Sequence, residues 1–559
     1  MIDQGNMLFQ KIYGLKIGLR RIIPVILIVL FVAGCGKGES AQITEGTSGD
    51  PAAFTSDGTD GIEDTAEVSQ AESDEAVSSA NDEDDAAGGE MQEIITDGVS
   101  AGNDGLEGMQ AAADTGDTAE TETADGSDDP QSREPLVYGD ERFDDYLPLL
   151  EGQRVAVLSN QTGVVGGRAP SKSSETGGSG SQEDSDNGSE GDDSLTPLPT
   201  VPEGEHILDA LLGKGVDVTA VFTPEHGFRG DADAGQSVGS GVDEKTGVPI
   251  LSLYGSGSEG PSGSDLDRFD VLVIDIEDVG VRYYTYHITM FHLMDACAKA
   301  GKKIVLLDRP DPNGFYVDGP VLEDAFKSGV GRLPLPVVYG MTLGELAQMI
   351  NGEGWLSAGQ GAADLTVISC LNYTHQDKVP LSVRPSPNLK DMRAVYLYPS
   401  TCYFENTAVS VGRGTENPFK VYGSPYLKDA VSDDVSQSPG IDHEFTPKSM
   451  SGAKNPQFEG QTCYGKDLRA IPLENIWQKQ IDLRYVLDAY AALKASHPDV
   501  SFFGKKDGNG HYWIDKLFGT DRVRRMIEEG KTAEEIKDSW QPEIEAFKAQ
   551  RKPYLLYEE

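Results

Sequence analysis

The sequence predicts an α/β fold built around a largely parallel sheet. Two apolar runs of strand length, residues 154–159 and 216–222, flank a segment with helical periodicity, residues 206–212. A strand–helix–strand unit of this kind favours parallel pairing of the two strands. The second strand continues into residues 223–233, a polar loop punctuated by glycine, and open parallel sheets place their ligands at such strand ends.

The same reasoning predicts the other regular elements. Strands are expected at residues 246–254, 269–276, 303–308 and 364–368, and helices at 143–150, 287–300, 341–350, 485–493 and 532–548. Thr342 is the expected N-cap of the helix at 341–350, because its hydroxyl can accept from a backbone amide of the first turn. Residues 166–200, rich in Gly, Ser and Asp, are interpreted as a flexible surface insertion, and residues 430–458 as loop.

Acidic residues are concentrated near the amino terminus. The chain has 559 residues and a net charge of −47, and residues 36–134 carry 28 acidic against 2 basic side chains. A segment so charged and so poor in large apolar side chains cannot bury enough surface to offset its chain entropy, so we expect it to be disordered. The acidity also argues against a nucleic-acid partner, because phosphates would be repelled.

Residues 1–35 are typical of a secretory signal. Basic side chains precede an apolar run at residues 22–35 that is short for a membrane span. Val-Ala-Gly-Cys at the end of this run resembles a bacterial lipobox, which implies cleavage before Cys35 and a diacylglycerol on its sulfur. An uncleaved signal anchor is the alternative. Both interpretations predict export, and the lipobox predicts a protein anchored to the outer face of the cell membrane, with residues 36–134 as an extended tether.

The other four cysteines carry little functional signal. Cys297 lies on an apolar helical face, which predicts a core position. A disulfide among Cys370, Cys402 and Cys463 is left open. The sequence has no Cys-x-x-Cys or histidine-rich metal spacing, so we expect neither a metal nor a cofactor.

The densest group of chemically active side chains follows the second strand. Glu225 and His226 are adjacent, and Arg229 and two aspartates lie in the same loop. One carboxylate among such neighbours can be tuned as a general acid or base. A salt-bridged turn is the competing interpretation.

A second group follows the strand at residues 269–276. It contains Asp278, Arg282 and three tyrosines that end at Tyr286. Aromatic rings interleaved with hydrogen-bonding groups suit a sugar, which has an apolar face and polar edges. Asp278 and Arg282 are four residues apart, so an ion pair on a helix is the competing interpretation.

Several strings along the chain carry a family resemblance. NQTG, TPEHGFRGDADAG, DVGVRYYTY, DRPDPNG, PSPN and SVGRGT occur in this order. They resemble the bacterial family of NamZ-type exo-β-N-acetylmuramidases, over about residues 140–559 apart from 166–200. The resemblance implies a Rossmann-like domain, which we place at residues 135–375, followed by a smaller α/β domain at 376–559, with the active site in the cleft between them.

The resemblance also implies an activity. It is release of terminal N-acetylmuramic acid (MurNAc) from the non-reducing end of peptidoglycan fragments, such as muropeptides or MurNAc linked to N-acetylglucosamine (GlcNAc). Glu225 would be the catalytic acid. For a second carboxylate we favour Asp278, then Glu405, then Asp275, unless the N-acetyl group of the substrate takes that part. The residues expected to bind substrate are Asn160, His226, Arg229, Arg282, Tyr286, Asn388 and Arg413, where an arginine would pair with the lactyl carboxylate of MurNAc.

The chain departs from the family pattern at three places. Glu277 and Asp311 stand where the pattern has glutamine and asparagine, and Glu405-Asn-Thr-Ala stands where it has Glu-Gly-Thr-Asn. Each departure changes charge or bulk near the expected cleft. They are expected to affect substrate preference more than the class of reaction.

Two other classes of function compete with a glycosidase. A tethered lipoprotein that only binds the cell wall would keep the aromatic and arginine side chains but would need no carboxylate with a shifted pKa. A metal hydrolase would use His226, His287 and His292. His287 and His292 are five residues apart, which does not bring both onto one side of a helix.

Overall fold

The structure is a computed structural model. It describes residues 134–167, 193–200, 203–224, 228, 240–253, 260–357, 361–430 and 442–559. These residues belong to one compact unit within Glu120–Glu559. The predicted signal, the lipidation site Cys35 and the acidic tether up to residue 133 lie outside the described residues. Within the described ranges, no helix has both the length and the apolarity that crossing a bilayer requires.

Ten strands in the described part of the chain form two sheets. They are β1 (Arg154–Leu158), β2 (Asp217–Thr223), β3 (Gly241–Val242), β4 (Pro249–Ser252), β5 (Val271–Ile274), β6 (Lys303–Leu307), β7 (Asp364–Ile368), β8 (Val421–Ser424), β9 (His443–Phe445) and β10 (Cys463–Asp467). The first seven strands make the larger sheet, in the order β3-β4-β2-β1-β5-β6-β7, and the last three make a small sheet in the order β8-β10-β9.

Twelve α-helices accompany these strands in the described ranges. They are α1 (Phe143–Leu150), α2 (Ile207–Gly213), α3 (Gly263–Leu266), α4 (Tyr286–Ala300), α5 (Leu343–Gly352), α6 (Met392–Thr401), α7 (Leu473–Lys479), α8 (Arg484–Ser496), α9 (Trp513–Phe518), α10 (Arg522–Glu528), α11 (Ala533–Asp538) and α12 (Gln541–Arg551). The predicted helices and strands of the first half are confirmed within a few residues at their ends.

The order of strands in the larger sheet creates a switch point. All neighbouring strands pair in parallel except the short edge strand β3, which is antiparallel to β4. From β1 the chain adds β2 and β4 on one side, and then returns to add β5, β6 and β7 on the other. Ligands of open α/β sheets bind beyond the carboxyl ends of the strands at such a reversal. The reversal here lies between β1 and β5.

Both faces of the larger sheet are buried, as parallel sheets require. Ala156 and Leu158 of β1 point into one apolar cluster, and Val155 and Val157 point into another on the opposite face. The second cluster is covered by α1 and α2, and the first by α4 and α5. Cys297 on α4 is completely buried in the first cluster, which confirms its predicted core position.

The first cluster continues without interruption into the second half of the chain. It contains Ile274 of β5 and Leu346 of α5, and also Phe518 of α9 and Trp540 before α12. Trp540 also donates from its indole nitrogen to Oδ1 of Asp318 over 3.0 Å. The two halves therefore share one core.

The C-terminal residues fold back onto the larger sheet. Oε1 of Glu345, the third residue of α5, accepts from the backbone amide of Leu556 at 2.8 Å. The hydroxyl of Tyr557 donates to Oδ2 of Asp308, just after β6, at 2.6 Å. The amide of His375 donates to the carbonyl of Glu558 at 2.8 Å. These bonds fasten the C-terminal segment to the carboxyl edge of the sheet.

Helix signals in the sequence are partly confirmed. Thr342 caps α5 as predicted, since its hydroxyl accepts from the amide of Glu345. The single helix predicted at 532–548 is wrong, because the structure has α11 and α12 with a break at Trp540. Pro542 lies in the first turn of α12, where its missing amide hydrogen is tolerated and a new helix can begin.

Three other predictions are corrected. Part of the stretch predicted as loop at 430–458 forms strand β9, which pairs with β10. The end of the predicted insertion at 166–200 is packed, because Leu198 is buried and its amide donates to the carbonyl of Lys390 at 2.8 Å. Cys370, Cys402 and Cys463 are buried free thiols, so the open question of a disulfide among them is answered in the negative.

Candidate active site

Polar residues of the larger sheet gather where its central strands end. Asn160 and Thr162 follow β1, Glu277 and Asp278 follow β5, and Asp311 follows β6. The amide of Glu277 donates to the hydroxyl of Thr162 over 3.0 Å, and this bond joins the two strand ends on either side of the switch point. The carboxyl edge is therefore a continuous polar surface.

Arg309 organises one part of this edge. Its guanidinium contacts three carboxyl groups: Asp275 at 2.7 Å, Asp140 at 2.7 Å and Glu277 at 3.2 Å. All four side chains are nearly inaccessible to solvent. Burial raises the pKa of Asp140 to about 7 and that of Glu277 to about 8, against the lowering effect of Arg309. Near neutral pH the group therefore retains protons, which reduces its excess negative charge.

Asp278 is a carboxyl group whose pKa lies in the range of a proton donor or acceptor. Its Oδ1 accepts from the amides of Val279 and Gly280 at 2.7 and 2.9 Å, and from the hydroxyl of Tyr339 at 3.2 Å. Burial outweighs these bonds and raises the pKa of Asp278 to about 7. Groups tuned in this way are candidates for acid–base catalysis.

Asp311 lies against the same turn as Asp278. A β-carbon at Gly280, whose φ is +69°, would come within 2.1 Å of Oδ2 of Asp311. Only glycine therefore lets the Asp311 carboxyl approach the chain here. Burial, and the nearby negative charge of Asp278, raise the pKa of Asp311 well above its usual value. Two neighbouring carboxyl groups of this kind cannot both ionise readily.

Unpaired polar atoms are concentrated around this edge. Buried side-chain atoms without a hydrogen-bond partner in the described part of the chain include Asn160 Nδ2, Gln161 Oε1, Thr223 Oγ1, Asp278 Oδ2, His287 Nε2, Asp311 Oδ2 and Asn313 Oδ1. Buried polar groups are nearly always paired in folded proteins, so a local excess of unpaired ones points to a functional region. Donors and acceptors are both represented, as recognition of a polyhydroxyl ligand requires.

His287 contributes a neutral acceptor to this set. Its Nδ1 lies 3.0 Å from the carbonyl of Tyr284, so Nδ1 carries the proton and Nε2 does not. Burial lowers the pKa of His287 to about 4, so the ring is neutral at physiological pH. Among the residues that the structure describes, no group of three or more His, Cys, Asp and Glu side chains is arranged to hold a metal ion.

A cleft lies next to this edge, between the segment before α4 and the second half of the chain. It has a volume of about 400 Å³. Tyr286, Asn388, Glu405 and Arg413, four of the residues predicted from the sequence, line it together. The hydroxyls of Tyr284 and Tyr286 both donate to the carbonyl of Pro385, at 2.7 and 2.9 Å, and so hold the two walls together.

Glu405 and Arg413 form an ion pair within the cleft. Nε and Nη2 of Arg413 donate to Oε1 of Glu405 at 2.9 and 2.6 Å. The guanidinium also lies 5.1 Å from the centre of the Phe419 ring. About a fifth of the Glu405 side chain and a quarter of the Arg413 side chain remain exposed, so both are accessible from the cleft.

The structure describes some of the site residues predicted from the sequence and not others. Glu225, His226 and Arg229 lie outside the described residues. Their neighbours are described: Thr223 ends β2 at the carboxyl edge, and the ring of Phe228 packs against that of His206 at 5.1 Å.

Two further predicted residues are buried at the edge or behind it. Asn160 is fully buried, its Oδ1 accepts from Thr162, and its carbonyl faces Nε2 of His206 at 2.7 Å. Arg282 is fully buried and donates to the carbonyls of Pro320, Leu335 and Leu517.

The competing interpretation of Asp278 and Arg282 as an ion pair on a helix is wrong. The segment between β5 and α4 is not helical, so a spacing of four residues does not bring the two side chains together. Arg282 instead joins the sheet to the second half through main-chain oxygens. Arg282 therefore has a structural role, and its predicted role in binding substrate is not favoured by this geometry.

Sequence reasoning missed Trp513 and Lys516 as cleft residues. Both line the cleft from α9, far along the chain. The indole nitrogen of Trp513 is buried without a hydrogen-bond partner among the described residues. The run of lysines and aromatics at 505–516 was the available signal, since aromatic rings beside cationic groups suit sugars that carry anions.

Fold and site together define a class of protein. It is an α/β protein with Rossmann strand order, whose second half closes over the carboxyl edge of the sheet and leaves a cleft of sugar size that is rich in aromatic groups and contains the Glu405–Arg413 ion pair. Comparison with known families places the chain within this class. The description "Exo-beta-N-acetylmuramidase NamZ, N-terminal" matches residues 198–393, and "Exo-beta-N-acetylmuramidase NamZ, C-terminal" matches residues 396–557. The chain belongs to the NamZ family.

Individual relatives agree with this assignment. The chain is 35% identical to the peptidoglycan β-N-acetylmuramidase NamZ of Bacillus subtilis, over 61% of this chain and 80% of that protein. Two crystal structures of DUF1343 family proteins from Bacteroides fragilis share the fold. One is 45% identical, covering 76% of this chain and all of that one, with a TM-score of 0.61. The other is 25% identical, covering 76% of this chain and 99% of that one, with a TM-score of 0.59.

Proposed function

We propose that this protein is an exo-acting glycoside hydrolase that releases terminal MurNAc from the non-reducing end of peptidoglycan fragments. The observation that carries the proposal is membership of the NamZ family along both halves of the chain. The cleft supports it, because tyrosine, asparagine, glutamate and arginine side chains converge there on a space that can hold a sugar ring.

We assign the protonation of the leaving oxygen to Glu225. In the sequence it comes two residues after Thr223, the last residue of β2, and β2 is next to β1 in the sheet. Hydrolysis then needs a group that stabilises the positive charge on the sugar or activates water. Asp278 fits this part best, because it is buried beside a tyrosine hydroxyl and its pKa is about 7. Asp275 fits it less well, since Arg309 occupies both of its oxygens.

We assign recognition of the lactyl carboxylate to Arg413. Its Nε and Nη2 are directed at Glu405, and part of the side chain stays exposed in the cleft. A guanidinium already held on one edge is pre-organised to bind a second carboxylate on the other. MurNAc differs from GlcNAc by this carboxylate, so Arg413 would distinguish the two sugars.

The place of the reaction is also a proposal. The signal and lipobox at residues 22–35 support an exported protein held by a lipid on Cys35. The acidic residues 36–134 would then separate the enzyme from the membrane. In that position the enzyme would act on wall fragments and take part in cell-wall turnover.

The test is release of free MurNAc from MurNAc–GlcNAc, followed by mass spectrometry. The full chain is compared with Glu225→Gln and with Glu244→Gln, a matched change at an exposed position outside the cleft. The parent and the Glu244 variant should release MurNAc, with or without a chelator. Glu225→Gln should lose about 10²- to 10⁴-fold in rate. Binding of the disaccharide without release by the parent would instead indicate a non-catalytic wall-binding lipoprotein.

A further inference from the structure

A second, larger depression, the groove, adjoins the cleft. It has a volume of about 960 Å³ and is formed by residues 405–413, 452–457 and 504–516. Glu405, Arg413, Trp513 and Lys516 line both the groove and the cleft. The two spaces are therefore continuous, and a ligand longer than the cleft can extend from one into the other.

The charge of the groove is opposite to that of the protein. Five cationic side chains line it against two carboxylates, in a chain with a net charge of −47. The cationic residues are Arg413, Lys454, Lys505, Lys506 and Lys516, and the carboxylates are Glu405 and Asp507. Both carboxylates are already paired, Glu405 with Arg413 at 2.6 Å and Asp507 with Lys516 at 2.7 Å.

Lys505 and Lys506 are the uncompensated part of this charge. Both are exposed, and neither pairs with a carboxylate in the part of the chain that the structure describes. Lys506 lies 5.1 Å from the centre of the Tyr512 ring. Unpaired cations along a groove attract anionic ligands.

The segment that carries the two lysines is fixed in place. A β-carbon at Gly504, where φ is +73°, would come within 2.2 Å of the carbonyl of Asn406, so the chain packs directly on the opposite wall. Oδ1 of Asp507 accepts from the amides of Asn509 and His511 at 2.9 and 3.0 Å, which closes the following turn. The lysine backbones are thus held at defined positions along the groove.

We propose that the groove binds carboxylates on the part of the substrate that leaves after cleavage. This inference rests on the proposed function. If the terminal MurNAc occupies the cleft, the remainder of the fragment must extend out of it, and the groove shares four residues with the cleft. Carboxylates occur there in two forms: the free lactyl groups of further MurNAc units that lack a peptide, and the stem peptides of MurNAc units whose lactyl carboxyl has become an amide. The enzyme would prefer fragments longer than a disaccharide.

The experiment compares two double variants of the full chain. Lys505→Gln/Lys506→Gln removes the charge of the groove. Lys303→Gln/Lys552→Gln removes the same charge from exposed lysines that line neither space. The substrates are MurNAc–GlcNAc, the peptide-free tetrasaccharide (MurNAc–GlcNAc)₂, and this tetrasaccharide with a stem peptide on its inner MurNAc.

The groove variant should keep the parental kcat/KM on MurNAc–GlcNAc, whose leaving sugar has no carboxylate. It should lose about three- to tenfold on a longer substrate, as expected for two exposed charge contacts. High salt should abolish that loss, since it screens exposed charges. In the third substrate the inner lactyl carboxyl is an amide, so a loss only on the peptide-free tetrasaccharide identifies the lactyl carboxylate. A loss only on the third substrate identifies the stem peptide, and a loss on both shows that the groove accepts either carboxylate.

Two results would overturn the inference while leaving the proposed function intact: equal rates for both variants on all substrates, or an equal loss by the groove variant on all three. Should the parent release MurNAc from none of them, the proposed function fails. Calorimetric titration of the tetrasaccharides into the parent and the groove variant then tests the groove alone. An unchanged Kd would reject it, and a Kd raised three- to tenfold would support it.

Discussion

The hydroxyl of Tyr339 donates to Oδ1 of Asp278 over 3.2 Å. Tyr339 belongs to the segment before α5, whereas Asp278 follows β5, so the bond joins two loops at the carboxyl edge. It favours the ionised form of Asp278 and opposes burial, which raises the pKa of this carboxyl to about 7. The pKa of the candidate second catalytic group thus depends on a residue that need not contact the substrate.

Removing this hydroxyl should shift the pH profile of the enzyme. In Tyr339→Phe the carboxylate loses a donor, so the pKa of Asp278 rises and the limb of kcat/KM that reports it moves to higher pH. Asp278→Asn should lower kcat by about 10²- to 10⁴-fold. Release of MurNAc at several pH values measures both effects. Tyr426→Phe, on the surface, is the control. An unshifted profile in Tyr339→Phe would mean that Asp278 does not limit the rate.

Glu277→Gln should stabilise the protein increasingly as the pH rises. The pKa of Glu277 is about 8 in the folded chain and about 4.3 when unfolded, so between these values only the folded chain holds the proton. The free energy of unfolding then falls with rising pH, by about 1.4 kcal/mol per pH unit for one such group. Glutamine does not titrate, and its oxygen can still accept from Arg309.

Denaturant unfolding of the parent and Glu277→Gln at pH 5 to 8 measures this difference. The two proteins should be similar at pH 5 and diverge in favour of the variant toward pH 8. Glu151→Gln, at an exposed position, should follow the parent throughout. Parallel curves for the parent and Glu277→Gln would show that Glu277 is ionised in the folded chain.

Tyr557→Phe should destabilise the protein by about 1–3 kcal/mol. The hydroxyl of this half-buried side chain donates to Asp308 at 2.6 Å and accepts from the amide of Cys370 at 2.9 Å, so its loss leaves two groups unpaired. The matched control is Tyr554→Phe. Its hydroxyl bonds Glu353 at an exposed position, and its removal should change stability by less than about 0.5 kcal/mol. Equal effects of the two changes on unfolding would contradict the structure.

Local features of the fold were predictable from the sequence. Thr342 and Glu345 stand three residues apart at the start of an apolar pattern, and this spacing alone predicts a capped helix. The strands of the larger sheet are short apolar runs that end in polar residues. Their parallel pairing follows from the helix between the first two of them. Such signals need only neighbouring residues, which the sequence displays directly.

The geometry of the site could not be predicted in the same way. Arg309 contacts Asp140 and Asp275, which lie 169 and 34 residues away along the chain. No local sequence pattern indicates contacts between residues that are so far apart along the chain. For Arg282 the sequence predicted a contact that the structure does not have. Its tyrosine neighbours suggested binding to a ligand, but its guanidinium donates to main-chain carbonyls. Composition indicated a sugar site, and only folding assigns each side chain to the cleft or to the core.

The contacts of residues 556–558 with the larger sheet have a consequence for how the protein is made. A ribosome delivers Asp308 after β6 249 residues before Tyr557 and Glu345 of α5 212 residues before it, and Tyr557 binds next to both. During synthesis the carboxyl edge therefore stays without its last hydrogen bonds. A chain stopped or trimmed just before these residues would contain every residue of the cleft and still lack the bonds to Asp308 and Glu345. The hydrogen bonds of the sheet edge are therefore complete only when the C-terminal segment is intact.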